Sequence, residues 1–107
     1  MSFEIIPLKR FQKDVKGLQK RYPKIKSDLQ KLSIELQNNP TQGIPLGDGF
    51  YKLRVANSSI PTGKSGGFRV ITYYLIDETL YLVTIYAKGD QDSISHQALQ
   101  EIIKNQR

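Results

Sequence analysis

Two stretches in the first 40 residues carry apolar side chains at helical spacing. The first stripe is Leu8, Phe11, Val15, Leu18 and Tyr22, and the second is Ile25, Leu29, Leu32 and Leu36. Intervals of three and four residues place each set on one face of an α-helix. Pro23 separates the two patterns and Asn38-Asn39-Pro40 ends the second. We therefore expect two helices in an antiparallel hairpin that packs on a sheet.

Four strand candidates flank this helical pair and share a composition rich in Val, Ile, Thr and aromatic residues. They are Ser2–Ile6, Phe50–Ala56, Phe68–Ile76 and Leu80–Ala87. Phe68–Ile76 is the most apolar, which predicts a central position, and Asp77-Glu78 predicts a tight turn into the last strand. Thr41–Gly49 and Asn57–Gly67 are rich in turn-forming residues and are expected to be loops.

The C-terminal segment returns to helical spacing. Asp92 or Ser93 is the expected N-cap, and the apolar face is formed by Ile94, Ala98, Leu99, Ile102 and Ile103. The order β-α-α-β-β-β-α predicts an α+β fold with a mostly antiparallel four-stranded sheet and a short C-terminal helix. At 107 residues, the chain is expected to be one domain spanning residues 1–107.

Composition limits the classes of protein that fit. No apolar run approaches the roughly 20 residues of a transmembrane helix, and the N-terminus lacks the pattern of a signal peptide, so a cytoplasmic protein is expected. The absence of cysteine excludes disulfides and thiolate metal sites. The net charge is +6, of which +5 lies in residues 1–40. Such a surface suits nucleic acid or an acidic protein partner, although a solvated lysine-rich face has the same composition.

A glycine-rich basic loop, Gly63-Lys64-Ser65-Gly66-Gly67, leads directly into the strand that begins at Phe68. Gly63-Lys64-Ser65 imitates the end of a phosphate-binding P-loop. That motif needs a glycine where this chain has Ser58, and it needs a helix where this chain has a strand pattern. We therefore reject a nucleoside-triphosphate site.

Strand alternation predicts a cationic patch on one face of the sheet. Tyr51, Leu53 and Val55 share one face of their strand, and Lys52 and Arg54 share the other. Neighbouring strands offer further cations and tyrosines, and the loop adds one lysine. These candidates are Lys64, Arg69, Tyr73, Thr84, Tyr86 and Lys88. Arginine forks match phosphate oxygens, lysines add charge and tyrosines offer stacking surfaces, so the patch has the outline of a site for single-stranded RNA.

Other catalytic arrangements are not supported by the residues. His96 is the only histidine and is expected to be an ordinary surface residue, and no third carboxylate joins Asp90 and Asp92 to complete a magnesium site. The two aspartates are most simply loop and cap residues, with Asp92 a further candidate for orienting substrate or a catalytic lysine. No cofactor or metal is expected.

The element order and several motifs resemble the RelE/ParE toxin superfamily over nearly the whole chain. The motifs are Phe50-Tyr51-Lys52-Leu53-Arg54, Gly63-Lys64-Ser65-Gly66-Gly67-Phe68-Arg69-Val70-Ile71 and Leu82-Val83-Thr84-Ile85-Tyr86-Ala87-Lys88. The glycine loop looks like the HigB-like branch, whose antitoxins often carry a helix-turn-helix DNA-binding domain. The resemblance implies a type II toxin that cleaves mRNA on the ribosome without a metal, and a cognate antitoxin that alone contacts operator DNA.

The resemblance also implies site residues and a reaction. A substrate 2′-hydroxyl would attack the adjacent phosphorus, leaving a 2′,3′-cyclic phosphate and a 5′-hydroxyl. Lys52 and Arg54 match a cationic pair of the family, Arg69 its phosphate-binding arginine, and Lys88 a lysine after the last strand. Gly89 stands where RelE-type members have an arginine, and Ser95 where they have a catalytic tyrosine.

We expect Lys64 and Lys88 to replace those two family residues, with Tyr86 or Tyr73 stacking a base. Clustered cations lower the pKa of a lysine among them, which suits a general base. Arg54 and Arg69 would stabilise charge on the phosphorane. The assignment of base and acid stays open. So do two rival functions: a ParE-like DNA gyrase poison, and a non-catalytic basic RNA-binding module.

Overall fold

The computed structural model describes residues 4–61, 67–74, 79–91 and 93–106. Its elements are β1 (Glu4–Pro7), α1 (Lys9–Gln19), α2 (Ile25–Asn38), β2 (Ile44–Gly47), β3 (Phe50–Val55), β4 (Phe68–Tyr74), β5 (Thr79–Ala87) and α3 (His96–Gln106). The strands form one sheet in the order β1-β5-β4-β3-β2. Only the β1–β5 pair is parallel among these strands, and the other three pairs are antiparallel. The predicted α+β fold is confirmed.

The sheet has one strand more than the sequence pattern predicted. Residues 44–47, which were expected to belong to a loop, form β2 and pair with β3 through Ile44↔Lys52 and Pro45↔Tyr51. The expectation of a loop was wrong because it rested on Pro45 and the glycines. Proline is tolerated on an edge strand, where its missing N–H faces away from the ladder. The turn to β3 uses left-handed backbone at Gly47, Asp48 and Gly49.

The two faces of the sheet carry separate hydrophobic cores. The α2 stripe and the α1 stripe from Phe11 onward pack on one face, against residues such as Leu53, Val70 and Ile85. The other face packs against α3 through Phe50, Ile71, Val83, Leu99 and Ile103. The predicted apolar stripes are therefore confirmed except at two positions, since Leu8 packs in the core on the α3 side and Ala98 is in neither core. The lysines between the α1 positions are exposed.

The start of α3 differs from the prediction. Asp92 or Ser93 was expected to be the N-cap, but α3 begins at His96. The Ser95 hydroxyl accepts a hydrogen bond from the Ala98 N–H at 3.1 Å, so Ser95 caps the helix. The expectation was wrong because all three residues are good caps by type, and the pattern alone did not select among them. Asp92 itself, like the predicted turn at Asp77-Glu78, lies outside the described residues.

Across the part of the chain that the structure describes, none of the helices has the length and apolar character needed to cross a membrane.

Candidate functional site

Three adjacent strands bring basic and aromatic side chains into one row on the α3 face of the sheet. Arg54 of β3 lies directly opposite Arg69 of β4, and Arg69 lies directly opposite Tyr86 of β5. Directly opposed residues of antiparallel strands point to the same face with Cβ atoms roughly 4.5–5.5 Å apart. The register therefore places the two arginine side chains next to each other on one face.

Burial distinguishes the two arginines. Arg69 is only 8% exposed, and its Nη1 donates to the Phe68 carbonyl at 3.3 Å. Arg54 is exposed. A buried arginine held by its own strand is a fixed cation, and an exposed neighbour can close on a ligand, so the pair suits a planar or tetrahedral anion.

Lys52 and Lys88 extend the row in two directions. Lys52 lies two residues before Arg54 on the same face, is half-buried, and pairs with Ile71. Lys88 is exposed and follows Tyr86 by two residues, and its N–H donates to the Gly67 carbonyl at 2.9 Å. We call the set Lys52, Arg54, Arg69 and Lys88 the cationic row.

Three members of the cationic row form no ion pair with another described residue. Within the described residues, neither Lys52, Arg54 nor Lys88 has a carboxylate within 4.0 Å. The cationic row occupies one end of this face of the sheet. The other end is apolar, and there Phe50 and Ile71 are covered by α3. The open end of the face is therefore the one able to accept a polyanion.

The two tyrosines predicted to contact substrate occupy different places. Tyr73 lies at the apolar end, with its ring centroid 4.9 Å from that of Phe50 and 6.2 Å from that of Tyr81. Tyr86 lies in the row beside Arg69 but is only 5% exposed. Stacking of a base on Tyr86 would require the surrounding packing to open, whereas Tyr73 is half-buried.

The remaining site candidates, Lys64 and Asp92, lie outside the described residues. The end of the glycine loop is described at Gly67, where a Cβ would come within 2.1 Å of the Val55 carbonyl oxygen. Only glycine allows the chain to pass this close to β3 before Arg69. The strand that follows at Phe68 also agrees with the rejection of a P-loop.

Asp14 of α1 is a structural residue of the site that the sequence pattern did not reveal. Its Oδ2 accepts hydrogen bonds from the Thr84 hydroxyl at 2.5 Å and the Ile85 N–H at 3.4 Å. Arg10 donates to the same carboxylate at 3.2 Å. β1 pairs with β5 only as far as Leu82, so Asp14 replaces a strand partner along the next part of β5. A separation of 70 residues leaves no local signal for this contact.

The turn after β5 is fixed to the end of α1. Arg21 Nη1 donates to Asp90 Oδ2 at 2.8 Å, and its guanidinium carbon lies 4.9 Å from the centre of the Tyr22 ring. The hydrogen bond from Arg21 to Asp90, and then the charge of Asp90, raise the pKa of Arg21 above its ordinary value. This contact holds the turn that carries Lys88.

His96 is not the ordinary surface residue that the sequence suggested. Its Nε2 lies 2.8 Å from Asp48 Oδ2, and its ring meets Phe50 edge-on at 5.6 Å between centroids. Gln100 donates to the same carboxylate oxygen at 3.3 Å. The expectation was wrong because the contact joins α3 to the β2–β3 turn, which is 48 residues away in the chain.

The two departures from the family pattern have structural roles. Gly89 has a φ of +100°, a conformation that favours glycine over arginine. Ser95 caps α3, and its hydroxyl points to a backbone N–H. Neither position supplies the side chain that the resemblance placed there.

Fold and site together define a small basic α+β protein with a row of cations on one sheet face. The sequence model of a protein family, the RelE toxin of the RelE/RelB toxin–antitoxin system, matches residues 9–106. The chain therefore belongs to the RelE toxin family. The E. coli toxin RelE, solved in the free state as a double arginine-to-alanine mutant, is similar in fold with a TM-score of 0.63 and 14% identity, over 98% of each chain. No curated protein matches this chain.

Proposed function

We propose that this toxin is a ribosome-dependent, metal-independent mRNA endoribonuclease that inhibits translation. The observation that carries the proposal is the cross-strand row in which Arg54 faces Arg69, with Lys52 and Lys88 on the same face. A row of four cations on one sheet face fits a phosphodiester better than a neutral metabolite. Membership of the RelE family supports the same class of substrate.

In the proposed reaction, the 2′-oxygen forms a bond to the adjacent phosphorus while the bond to the 5′-oxygen breaks. Arg69 and Arg54 stabilise the charge that develops on the non-bridging oxygens. A lysine of the row, assisted by Lys64, takes the 2′-hydroxyl proton, and a second group returns a proton to the 5′-oxygen. The products are a 2′,3′-cyclic phosphate and a 5′-hydroxyl.

The test combines substitution with mapping of transcript 5′ ends after induction of the toxin. Because the arginine acts on transition-state charge, Arg69→Ala should lower cleavage by about 10²–10³-fold. Lys88→Ala should also abolish growth arrest, while both variants keep antitoxin binding. Arg69→Lys, which keeps the charge without the fork, is the matched control and should retain part of the activity. Growth arrest that persists in both alanine variants would contradict this site.

The 5′-end map also separates the proposal from its rivals. A gyrase poison creates no new RNA ends, and a binding module gives no turnover on translating ribosomes. New 5′-hydroxyl ends that depend on Arg69 are expected. Growth arrest without such ends would contradict the nuclease.

RelE toxins pair with a cognate antitoxin. We further propose that this partner carries a helix-turn-helix DNA-binding domain and contacts operator DNA on behalf of the complex. The sequence of the gene next to the toxin gene tests this directly, since it should encode a small protein with that motif.

A further inference from the structure

An open groove lies on the helical layer, on the side of the molecule away from the cationic row. It has a volume of about 540 Å³ and is lined by α1, α2 and Pro7. Its apolar lining comes from Phe11, Val15 and Leu29, which belong to or pack against the α1–α2 core. The volume falls within the roughly 300–1,000 Å³ of sites that hold a ligand.

The charge of the groove has one sign. Lys13, Lys16 and Lys26 line it together with two glutamines, and no acidic residue is among the lining residues that the structure describes. All three lysines are exposed, whereas Val15 and Leu29 are half-buried. An apolar floor with a cationic rim is complementary to a segment with apolar anchors on one side and carboxylates beside them.

We propose that this groove is the docking surface for an acidic amphipathic segment of the cognate antitoxin. Apolar anchors of that segment would cover Val15 and Leu29, and its carboxylates would pair with Lys13, Lys16 and Lys26. A protein segment fits better than RNA because Phe11, the only aromatic residue among the described residues that line the groove, is 3% exposed and offers no stacking surface. The inference rests on membership of a toxin–antitoxin family and not on the proposed nuclease activity.

The location has a functional consequence. The groove lies on the α1–α2 layer and the cationic row on the opposite face of the sheet. A segment bound in the groove anchors the antitoxin without occupying the row. Neutralisation of the row would then need a second part of the antitoxin, tethered by the first.

The experiment compares two charge-reversal variants of the full-length toxin. Lys16→Glu with Lys26→Glu reverses the groove rim, and Lys9→Glu with Lys31→Glu makes the same change on the same helices outside the groove. Each pair changes the net charge from +6 to +2. Calorimetric titration with the antitoxin encoded beside the toxin should show affinity lowered on the order of tenfold or more for the groove pair, and within about twofold for the control.

Several outcomes would overturn the inference. Equal losses in both variants would show a general charge effect. Unchanged antitoxin affinity with weakened ribosome binding would assign the groove to RNA. Leu29→Gln, whose folding is checked by thermal melting, tests the apolar floor and should also weaken the antitoxin complex. The proposed nuclease fails separately, because the groove variants should still cleave mRNA and should resist neutralisation by the antitoxin.

Discussion

Two arginines directly opposite each other on neighbouring strands are an arrangement that stability alone disfavours. Like charges in such a pair destabilise a sheet, whereas favourable cross-strand pairs each stabilise it by roughly 0.2–1 kcal/mol. Arg69 is buried as well, while Arg54 is exposed. The arrangement is what the proposed phosphodiester site requires, since an anion bound there would offset the repulsion.

Arg21 allows a residue-scale prediction about the turn that carries Lys88. Arg21→Gln removes the charged hydrogen bond to Asp90 and should lower the cleavage rate through mobility of Lys88, with little change in melting temperature because the pair is exposed. Mutating Lys20, the exposed neighbouring lysine, to glutamine is the control. The measurement is the cleavage rate on translating ribosomes beside a thermal melt. An unchanged rate would show that the turn is fixed without Arg21.

Salt, and not pH, is the appropriate probe of this contact. The pKa of Arg21 is raised in the folded state. A contact that raises the pKa of a cation stabilises the folded state at every pH below the pKa of that cation in the unfolded chain. This stabilisation is lost only at higher pH, in strongly alkaline solution. Added salt screens the exposed pair at neutral pH.

At the scale of elements, β5 depends on a helix for part of its pairing. The Asp14 carboxylate satisfies Thr84 and the Ile85 N–H where β1 has ended. The spacing of α1 predicted the apolar face of this helix correctly. It did not predict Asp14, because strand ends and the path of α1 across them are set by tertiary packing.

Asp14→Ala should destabilise the protein by about 1–3 kcal/mol, since it leaves partly buried donors without an acceptor. The free energy of unfolding from urea titration measures the loss. Asp14→Asn keeps an acceptor oxygen and should lose less. Equal losses in the two variants would mean that the charge of Asp14, and not its hydrogen bonds, is what stabilises β5.

Ser95 provides a second prediction at this scale. Ser95→Ala removes the α3 cap and should cost about 0.5–2 kcal/mol of unfolding free energy. Ser93→Ala, at the position that the sequence had suggested for the cap, serves as the matched control and should be near neutral. A larger loss at Ser93 than at Ser95 would place the cap where the sequence pattern had placed it.

At the scale of the whole molecule, the local spacing of apolar residues was enough to predict the helices, β1 and β3 to β5. Each of these elements buries one face, and the apolar residues of that face recur with the period of the element. β2 was missed because an edge strand of four residues with a proline has no such face. The contacts of Asp48 with His96, of Asp90 with Arg21 and of Asp14 with Thr84 join residues at least 48 positions apart. The pattern of one segment contains no information about them.

The distribution of charge gives a prediction for the whole molecule. We expect the toxin to bind a short RNA that carries a 2′-deoxy substitution at the cleavage position. The logarithm of the binding constant should fall linearly with the logarithm of the salt concentration. Lys52→Ala and Lys88→Ala should each reduce that slope by about 0.7–1. Lys104→Ala, on the exposed side of α3, should leave it unchanged. Filter binding between 50 and 300 mM salt, roughly the range over which such slopes are measured, provides the data. Equal slopes for all three variants would show that the row does not contact phosphate.

The parallel pairing of the first strand with the last has a consequence for synthesis of the toxin. β1 finds its partner only when Thr79–Ala87 has left the ribosome. Translation of the roughly 70 residues between them takes about 4–14 s at typical elongation rates. Throughout that interval the nascent chain lacks a complete sheet, and so the cationic row, which spans β3 to β5, is assembled only after β5 has been made.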